Sequence, residues 1–269
     1  MNLSKVKLVV SDMDGTLLNS KGEVSLLFFK LFKQLQEHNV YFTAASGRQY
    51  NSIVDKLSAI KNDILVIAEN GAIAKNGDAV LLLNSLNREK IINIIPVLRN
   101  IKNANIVLCT KDTAFIETTD QKFISLFQEY YRSYNIVDDL MKVARETPIL
   151  KIAIYHYESS EKYIYPEIKH LKEEVLLKIS GQNWLDISDE KANKGTALRE
   201  VQKLLKVTKE ETLVFGDYHN DIEMMSEAHF SFSMKNAHKD ITEIANYATE
   251  SNNDFGVERI LEKLIKAKS

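Results

Sequence analysis

The apolar positions fall into short runs separated by amphipathic stretches. Val6-Lys7-Leu8-Val9-Val10, Val40 to Ala45 and Ile64 to Ala68 are β-branched or apolar runs of strand length, bounded by polar residues. Between the first two, Ser25 is placed to cap an amphipathic helix with Leu26, Phe29, Leu31, Phe32 and Leu35 on its buried side, ending near Asn39. A second helix begins near Gln49. Leu17 to Val24, with Ser20-Lys21-Gly22 at its centre, reads as a tight hairpin lying over the loop after the first strand, a flap able to control water access. Ala72 to Leu83 reads as a hairpin turning at Asn76-Gly77. Strand, helix, strand, helix, strand in this order argues for right-handed crossovers and a parallel sheet.

From Asn84 to Asn183 the pattern changes. A helix from Asn87 to Lys102 precedes strands at Ile106–Thr110 and Ala114–Thr118 and a helix from Asp120 to Ser133; Ile149–Tyr157, Ser159–Glu173 and Val175–Ser180 then read as strand, helix and strand. This is an α+β module inserted into an α/β domain. The parallel-sheet pattern is expected to resume with a strand at Trp184–Ser188, a helix opening at Lys191-Ala192-Asn193-Lys194-Gly195 and running to Leu205, strands at Thr212–Phe215 and Phe230–Met234, and a last helix from Asp254 to Lys266. The division predicted is therefore a core of residues 1–83 and 184–269 and an insert of residues 84–183.

Bulk properties narrow the function without naming it. The 269 residues, 45% hydrophobic and 27% charged, have an ordinary globular composition with room for a substantial core. Thirty-five Lys and Arg against 37 Asp and Glu, with no basic block, argue against a nucleic-acid partner. The single cysteine, Cys109, has no partner for a disulfide and lies in an apolar run, so a reducing cytoplasm and a core role are expected for it. The first apolar run is cut by Asp12 and no window approaches a membrane span, so a soluble chain without a leader is expected.

Chemistry gathers where the apolar runs stop. Asp12 and Asp14 in Ser11-Asp12-Met13-Asp14-Gly15-Thr16 are two apart, so on extended backbone their carboxylates project to one side. Their repulsion is relieved by a raised pKa or by a bound cation, unless the stretch is an ordinary acidic turn. Ser46-Gly47-Arg48 offers a hydroxyl and free N–H groups at a strand-to-helix junction, a ready anion site. Lys194, in the first turn of a helix, opposes the macrodipole unless an anion lies beside it. Gly216-Asp217-Tyr218-His219-Asn220-Asp221 again puts acids after a strand, with His219 exposed or stacked at the rim. In parallel sheets ligands gather outside these carboxyl ends. His156 and His170, Met141, the tyrosines and Trp184 read as structural or as surface of the insert.

Jointly these segments closely resemble the four motifs of the haloacid dehalogenase-like superfamily: the Asp-x-Asp-Gly-Thr loop, a Ser or Thr after the second strand, a Lys, and the Gly-Asp-x-x-Asn-Asp loop. Glu69-Asn70-Gly71-Ala72, Lys194-Gly195, Met234-Lys235-Asn236-Ala237 and Asn252 to Val257 resemble its Cof-type branch, which carries a large α/β cap between the second and third motifs. The resemblance implies a parallel-sheet, Rossmann-like core, a cap over it, and a phosphohydrolase that uses Mg²⁺ and an aspartyl-phosphate intermediate. It assigns Asp12 as nucleophile and Asp14 as general acid and base, its pKa lifted by its neighbour. It assigns the Asp12 carboxylate, the Asp14 main-chain carbonyl and Asp217 as metal ligands, with Asp221 orienting groups behind them. It places Ser46, the Gly47 N–H, Lys194 and Asn220 on the phosphoryl oxygens. The presence of Asp14 separates this chain from the family's ion pumps and dehalogenases, leaving a phosphatase or a phosphomutase, with a non-catalytic Mg²⁺ and phosphate sensor as the other class. The implied partner is a small phosphorylated metabolite, sugar phosphates before nucleotide, flavin-pathway or pyridoxal phosphates. The chain is expected to act as a monomer or small homo-oligomer, with its cap hinged near Asn84 and Asn183. Tyr218, His219 and Lys235, at variable or less usual positions, bear on substrate contacts and leave the reaction unchanged.

Overall fold

The computed structural model describes residues 2–269. In chain order the strands are β1 (Leu8–Asp12), β2 (Tyr41–Ala45), β3 (Leu65–Ala68), β4 (Ile73–Asn76), β5 (Ala79–Leu83), β6 (Ala104–Cys109) and β7 (Ala114–Ile116). They continue with β8 (Tyr134–Ile136), β9 (Lys151–His156), β10 (Leu176–Ile179), β11 (Trp184–Ser188), β12 (Thr212–Gly216), β13 (Phe230–Ser233) and β14 (Tyr247–Ala248). They make two sheets, β14-β13-β12-β1-β2-β3-β4-β5 and β10-β11-β9-β6-β7-β8.

In the first sheet, β14 through β3 are parallel and β4–β5 form an antiparallel hairpin at one edge. β1 is buried along its whole length because helices cover both faces of the sheet. Val9 and Met13 pack with the helices Leu26–Glu37 and Gly256–Lys268, while Leu8 and Val10 pack on the other side with Leu198 and Val201 of the helix Lys194–Leu205. This two-sided packing fixes β1 at the centre of the sheet, between β12 and β2, and so brings the loops after those three strands together.

The helix Leu26–Glu37 is capped as expected, Ser25 Oγ accepting the Phe28 N–H at 3.0 Å. Its buried side is Phe28, Leu31, Phe32 and Leu35; Leu26 is exposed and Phe29 is only partly buried. The i, i+3, i+4, i+7 set starting at Phe28 wins because it keeps one stripe against the sheet. The expected hairpin at Leu17–Val24 is absent. Leu17 and Leu18 are core residues, and Asn19–Glu23 is a tight turn, with Asn19 N–H to Glu23 O at 3.0 Å. Asn253 Oδ1 accepts the Ser20 N–H at 2.9 Å, and Lys56 Nζ donates to Gly22 O at 2.6 Å, so the turn is tied down and makes no flap.

The second sheet is the insert, or cap, and it claims one strand more than expected. β11 pairs antiparallel with both β9 and β10, so the chain returns to the first sheet only after Ser188, not at residue 184. Leu185 and Ile187 face the cap's own helices beside Ile152 and Ile154, which secures the strand there. The helix expected over Asp120–Ser133 stops at Phe127 and gives way to β8, and the helix Leu140–Glu146 was not expected. Ser159–Glu173 breaks into three short helical turns around Pro166, which has no N–H to donate and restricts Tyr165 before it. Asn193 Oδ1 caps the following helix by accepting the Thr196 N–H at 2.8 Å, so that helix begins at Lys194 rather than Lys191. Among the described residues no helix is long and apolar enough to cross a membrane. Cys109 is buried, and burial pushes its thiol pKa up, as suits a core residue.

Candidate active site

The carboxyl ends of β1, β2 and β12 meet under the cap. Asp12, the last residue of β1, is 4% exposed, and Lys194 and Asp221 are fully buried beside it. Lys194 Nζ donates to Asp12 Oδ1 at 2.5 Å and to Asp221 Oδ1 at 2.7 Å. The other Asp221 oxygen accepts the backbone N–H groups of Asp217 (2.9 Å) and Tyr218 (3.2 Å). The Thr16 hydroxyl donates to Asp217 Oδ1 at 2.8 Å. Gly15, at φ +77°, lets the first loop come this close: a Cβ there would stand 2.4 Å from Asp217 Oδ2.

The charges do not balance. One carboxylate oxygen from each of Asp12, Asp217 and Asp221 lies within 4.8 Å of the others, and Lys194 is the ammonium that answers two of them. Burial pushes Asp12 well above the usual carboxylate range, against the pull of Lys194 and with Asp221 and Asp217 adding to the rise. Burial, and then Asp221, push Asp217 up to about 7. Surplus buried negative charge on hard oxygen donors fits a divalent cation of the Mg²⁺ kind. Because Asp221 has both oxygens engaged by Lys194 and two N–H groups, Asp12 and Asp217 are the acids left to face such an ion.

Asp14 adds to the expected repulsion on Asp12, but least among the charges that raise it. Its carboxylate turns to Arg48, which grips it through Nε to Oδ2 (2.7 Å) and Nη2 to Oδ1 (2.6 Å). A guanidinium therefore answers Asp14, and the acid that burial lifts is Asp12. Arg48 is itself held by the cap: Nη1 donates to the Glu129 carbonyl at 2.5 Å, and the Tyr130 ring lies 4.6 Å from the guanidinium carbon. Ser46 Oγ accepts the Arg48 N–H at 3.1 Å, and Asn220 Nδ2 donates to Asn70 Oδ1 at 3.0 Å.

Asp12, Asp14, Ser46, Gly47, Asp217 and Asn220 line one cavity of about 750 Å³ between core and cap. Lys194 and Asp221 lie beneath it and touch it through Asp12 and Asp217. All eight residues singled out in the sequence thus converge. Arg48, Glu69 and Asn70 belonged to recognised stretches but carried no assigned role. Lys151 and Asp186 went unnoticed, although a charge inside each of the apolar runs Ile149–Tyr157 and Leu185–Ile187 was the available signal. Trp184 also lines the cavity, with Tyr155 and Tyr130 at ring distances of 4.9 and 5.8 Å. His219, expected to be exposed or stacked at the rim, is half-buried and meets Tyr218 edge-on and His238 at a tilt rather than stacking on either.

Residues 9–261 match the sequence model of the family described as haloacid dehalogenase-like hydrolase. The chain belongs to the haloacid dehalogenase-like hydrolases. It falls in their Cof-type, cap-bearing branch and is an enzyme of the phosphatase type. The 5-amino-6-(5-phospho-D-ribitylamino)uracil phosphatase YbjI of Escherichia coli is 26% identical over 264 residues, covering 97% of each chain. Phosphatase YwpJ of Bacillus subtilis is 25% identical over 287 residues, covering 97% of this chain and 100% of that one. The crystal structure of SMU.1108c from Streptococcus mutans has a TM-score of 0.88 at 27% identity, covering 97% of this chain and 99% of that one.

Proposed function

We propose that this haloacid dehalogenase-like phosphatase hydrolyses a small phosphate monoester through a phosphorylated Asp12. The observation that carries this reading is the Asp12 carboxylate at the end of β1, held at one oxygen by buried Lys194, on a residue that lines the cavity. Lys194 favours the ionised, nucleophilic form of Asp12 against the effect of burial. An Asp12 oxygen attacks phosphorus, the bond to the ester oxygen breaks, and Asp14 gives that oxygen its proton. Asp14 then takes a proton from water, whose oxygen attacks the phosphorus of the aspartyl-phosphate and releases phosphate and free Asp12. The grip of Arg48 on Asp14 must loosen for the first transfer, because a carboxylate bound to two guanidinium N–H groups has no proton to give. Ser46, the Gly47 N–H and Asn220 hold the phosphoryl oxygens, while Lys194 acts from below through Asp12. Mg²⁺, held by Asp12, the Asp14 carbonyl and Asp217, would supply the positive charge that lets an anionic carboxylate approach an anionic phosphate.

The leaving group occupies the cap side of the cavity. Trp184, Tyr130 and Tyr155 offer flat apolar surface there, and Ser180, Gln182 and Asn183 offer polar atoms beside them. Such a wall suits a polyhydroxylated leaving group with an apolar face, in keeping with a sugar phosphate or a ring-bearing sugar-alcohol phosphate like that named for the Escherichia coli relative. Phosphate release from sugar, sugar-alcohol, nucleotide and vitamin phosphates, with Mg²⁺ or with chelator, tests the proposal. We expect Mg²⁺-dependent release that falls by about a thousandfold or more in Asp12→Asn. Release that survives this substitution contradicts it, and isomerised sugar phosphate without release points to a mutase.

A further inference from the structure

Two charged residues of the cap sheet reach the core loops around the phosphate site. Lys151 opens β9 and pairs with Ser188 of β11, which puts Asp186 on the same sheet face one diagonal away. Both are at most 3% exposed. Lys151 Nζ donates to the Gly47 carbonyl at 2.8 Å and lies 2.7 Å from Glu69 Oε2 and 3.5 Å from Asp186 Oδ2. Asp186 Oδ2 accepts from Asn70 Nδ2 at 2.5 Å, and Asn70 Oδ1 accepts from Asn220 Nδ2 at 3.0 Å. The cap therefore has two arms into the core, one ending on Gly47 and the other on Asn220.

The arrangement is a costly way to join two surfaces. One ammonium faces two buried carboxylates, and burial pushes both Glu69 and Asp186 up. Glu69 Oε1 has no hydrogen-bond partner among the described residues. Glu69 and Asn70 adopt left-handed φ of +51° and +55°, a conformation that side chains other than glycine adopt at a cost. Well-packed apolar residues commonly stabilise a protein at least as well as a buried ion pair, so adhesion of the cap is a weak explanation for these charges.

Direction is a better one. Lys151 fixes the peptide between Gly47 and Arg48, whose N–H binds Ser46 Oγ. An ionised Asp186 accepts only, so Asn70 must present its amide nitrogen to Asp186 and its oxygen to Asn220. That sets the direction of the Asn220 amide. The arms also touch, since a Cβ on Gly47 would lie 2.8 Å from Asn70 Oδ1.

We propose that Lys151 and Asp186 are positioning residues which set Gly47 and Asn220 for the phosphoryl group when the cap is shut. The phosphate site is then complete only in the closed molecule. This rests on the reading of Gly47 and Asn220 as phosphate-binding groups.

The test is calorimetric binding of inorganic phosphate, which is too small to reach the aromatic cap wall, at saturating Mg²⁺. Lys151→Met should weaken binding by about tenfold or more, the loss expected for a charge-assisted hydrogen bond. Because Lys151→Met leaves two buried carboxylates without their cation and so threatens folding itself, the triple variant Glu69→Gln, Lys151→Met, Asp186→Leu removes all three charges together and should show the same loss. Arg132→Met breaks an exposed cap-to-core pair with Asp55 (3.2 Å) that includes no residue of the two arms and should stay within about twofold of the unmodified chain. Unchanged phosphate affinity in the folded triple variant overturns the proposal, as does an equal loss in Arg132→Met. Turnover of a phosphate ester is read in parallel. Phosphate binding without turnover would overturn the hydrolytic reading and leave this comparison decisive, whereas no phosphate binding by the unmodified chain overturns both.

Discussion

At the scale of single residues, the site is a problem of unbalanced charge solved by neighbours. Lys194 answers Asp12 and Asp221, and Arg48 answers Asp14. Lys194→Met would leave two buried carboxylates without their cation, so stability should fall by about 3–5 kcal/mol and activity by more than about a hundredfold; thermal unfolding and a turnover assay check the two effects separately. Arg48→Lys keeps a positive charge but cannot grip both Asp14 oxygens, and should lower kcat about tenfold or more with a smaller change in KM. Asp217 carries a pH signature. Its pKa of about 7 in the folded, metal-free chain lies above the ordinary carboxylate value, so between about pH 4 and pH 7 the folded form binds more protons than the unfolded. Its contribution therefore makes the metal-free protein less stable as pH rises through that window. Mg²⁺ binds the ionised form, so the Tm increase at saturating Mg²⁺ should be larger at about pH 8 than at about pH 5. Equal increases would contradict the account.

At the scale of elements, what could be read in advance was what is local. β1, β2 and β3 are continuous apolar runs that stop at Asp12, Ser46 and Glu69, so their existence was visible, as was the chemistry at the ends of the first two. The alternation in Trp184-Leu185-Asp186-Ile187-Ser188 likewise shows a strand. Which sheet it joins depends on Ile152 and Ile154, more than thirty positions away, and no local pattern reports that. Lys151 and Asp186 were missed for the same reason, since a charge in a strand gains meaning only from partners brought by the fold, and Glu69, in a recognised stretch after β3, carried no role because its partner Lys151 lies in the other sheet. Leu17-Leu18 misled because a turn tied by Asn253 and Lys56 has the same composition as a free hairpin. The helix Leu26–Glu37 depends on its cap and on its true stripe. Ser25→Ala should cost about 1 kcal/mol and Phe28→Ala about 3–5 kcal/mol, while Leu26→Ala, on the exposed side, should change stability by no more than about 0.5 kcal/mol. Denaturant unfolding of the three variants checks that order.

At the scale of the whole molecule, the cap closes the cavity through several contacts that meet the core near the ends of β1, β2 and β12. Arg48 reaches the Glu129 carbonyl, Gln49 exchanges hydrogen bonds with the Ser133 backbone, and Lys151 reaches Gly47. The two covalent links run side by side, Asn84 Nδ2 donating to the Lys191 carbonyl at 3.3 Å. A second hinge, if the cap turns on its links, belongs in residues 189–193, after β11, rather than at Asn183, which holds the His156 carbonyl inside the cap. If the cap moves about these links, limited proteolysis should cut near residues 84–87 and 189–193, and saturating phosphate with Mg²⁺ should slow both cuts. Cleavage rates unchanged by phosphate would count against closure on the ligand.

The central claim is that phosphate passes through Asp12. The direct measurement is an acid quench during turnover of a phosphate ester, followed by mass spectrometry of the peptide that spans β1 and its loop. The account predicts a transient phosphoryl adduct on Asp12, seen only with Mg²⁺ present and missing in Asp12→Asn together with activity. Steady release of phosphate with no adduct on Asp12, undiminished in Asp12→Asn, would contradict it.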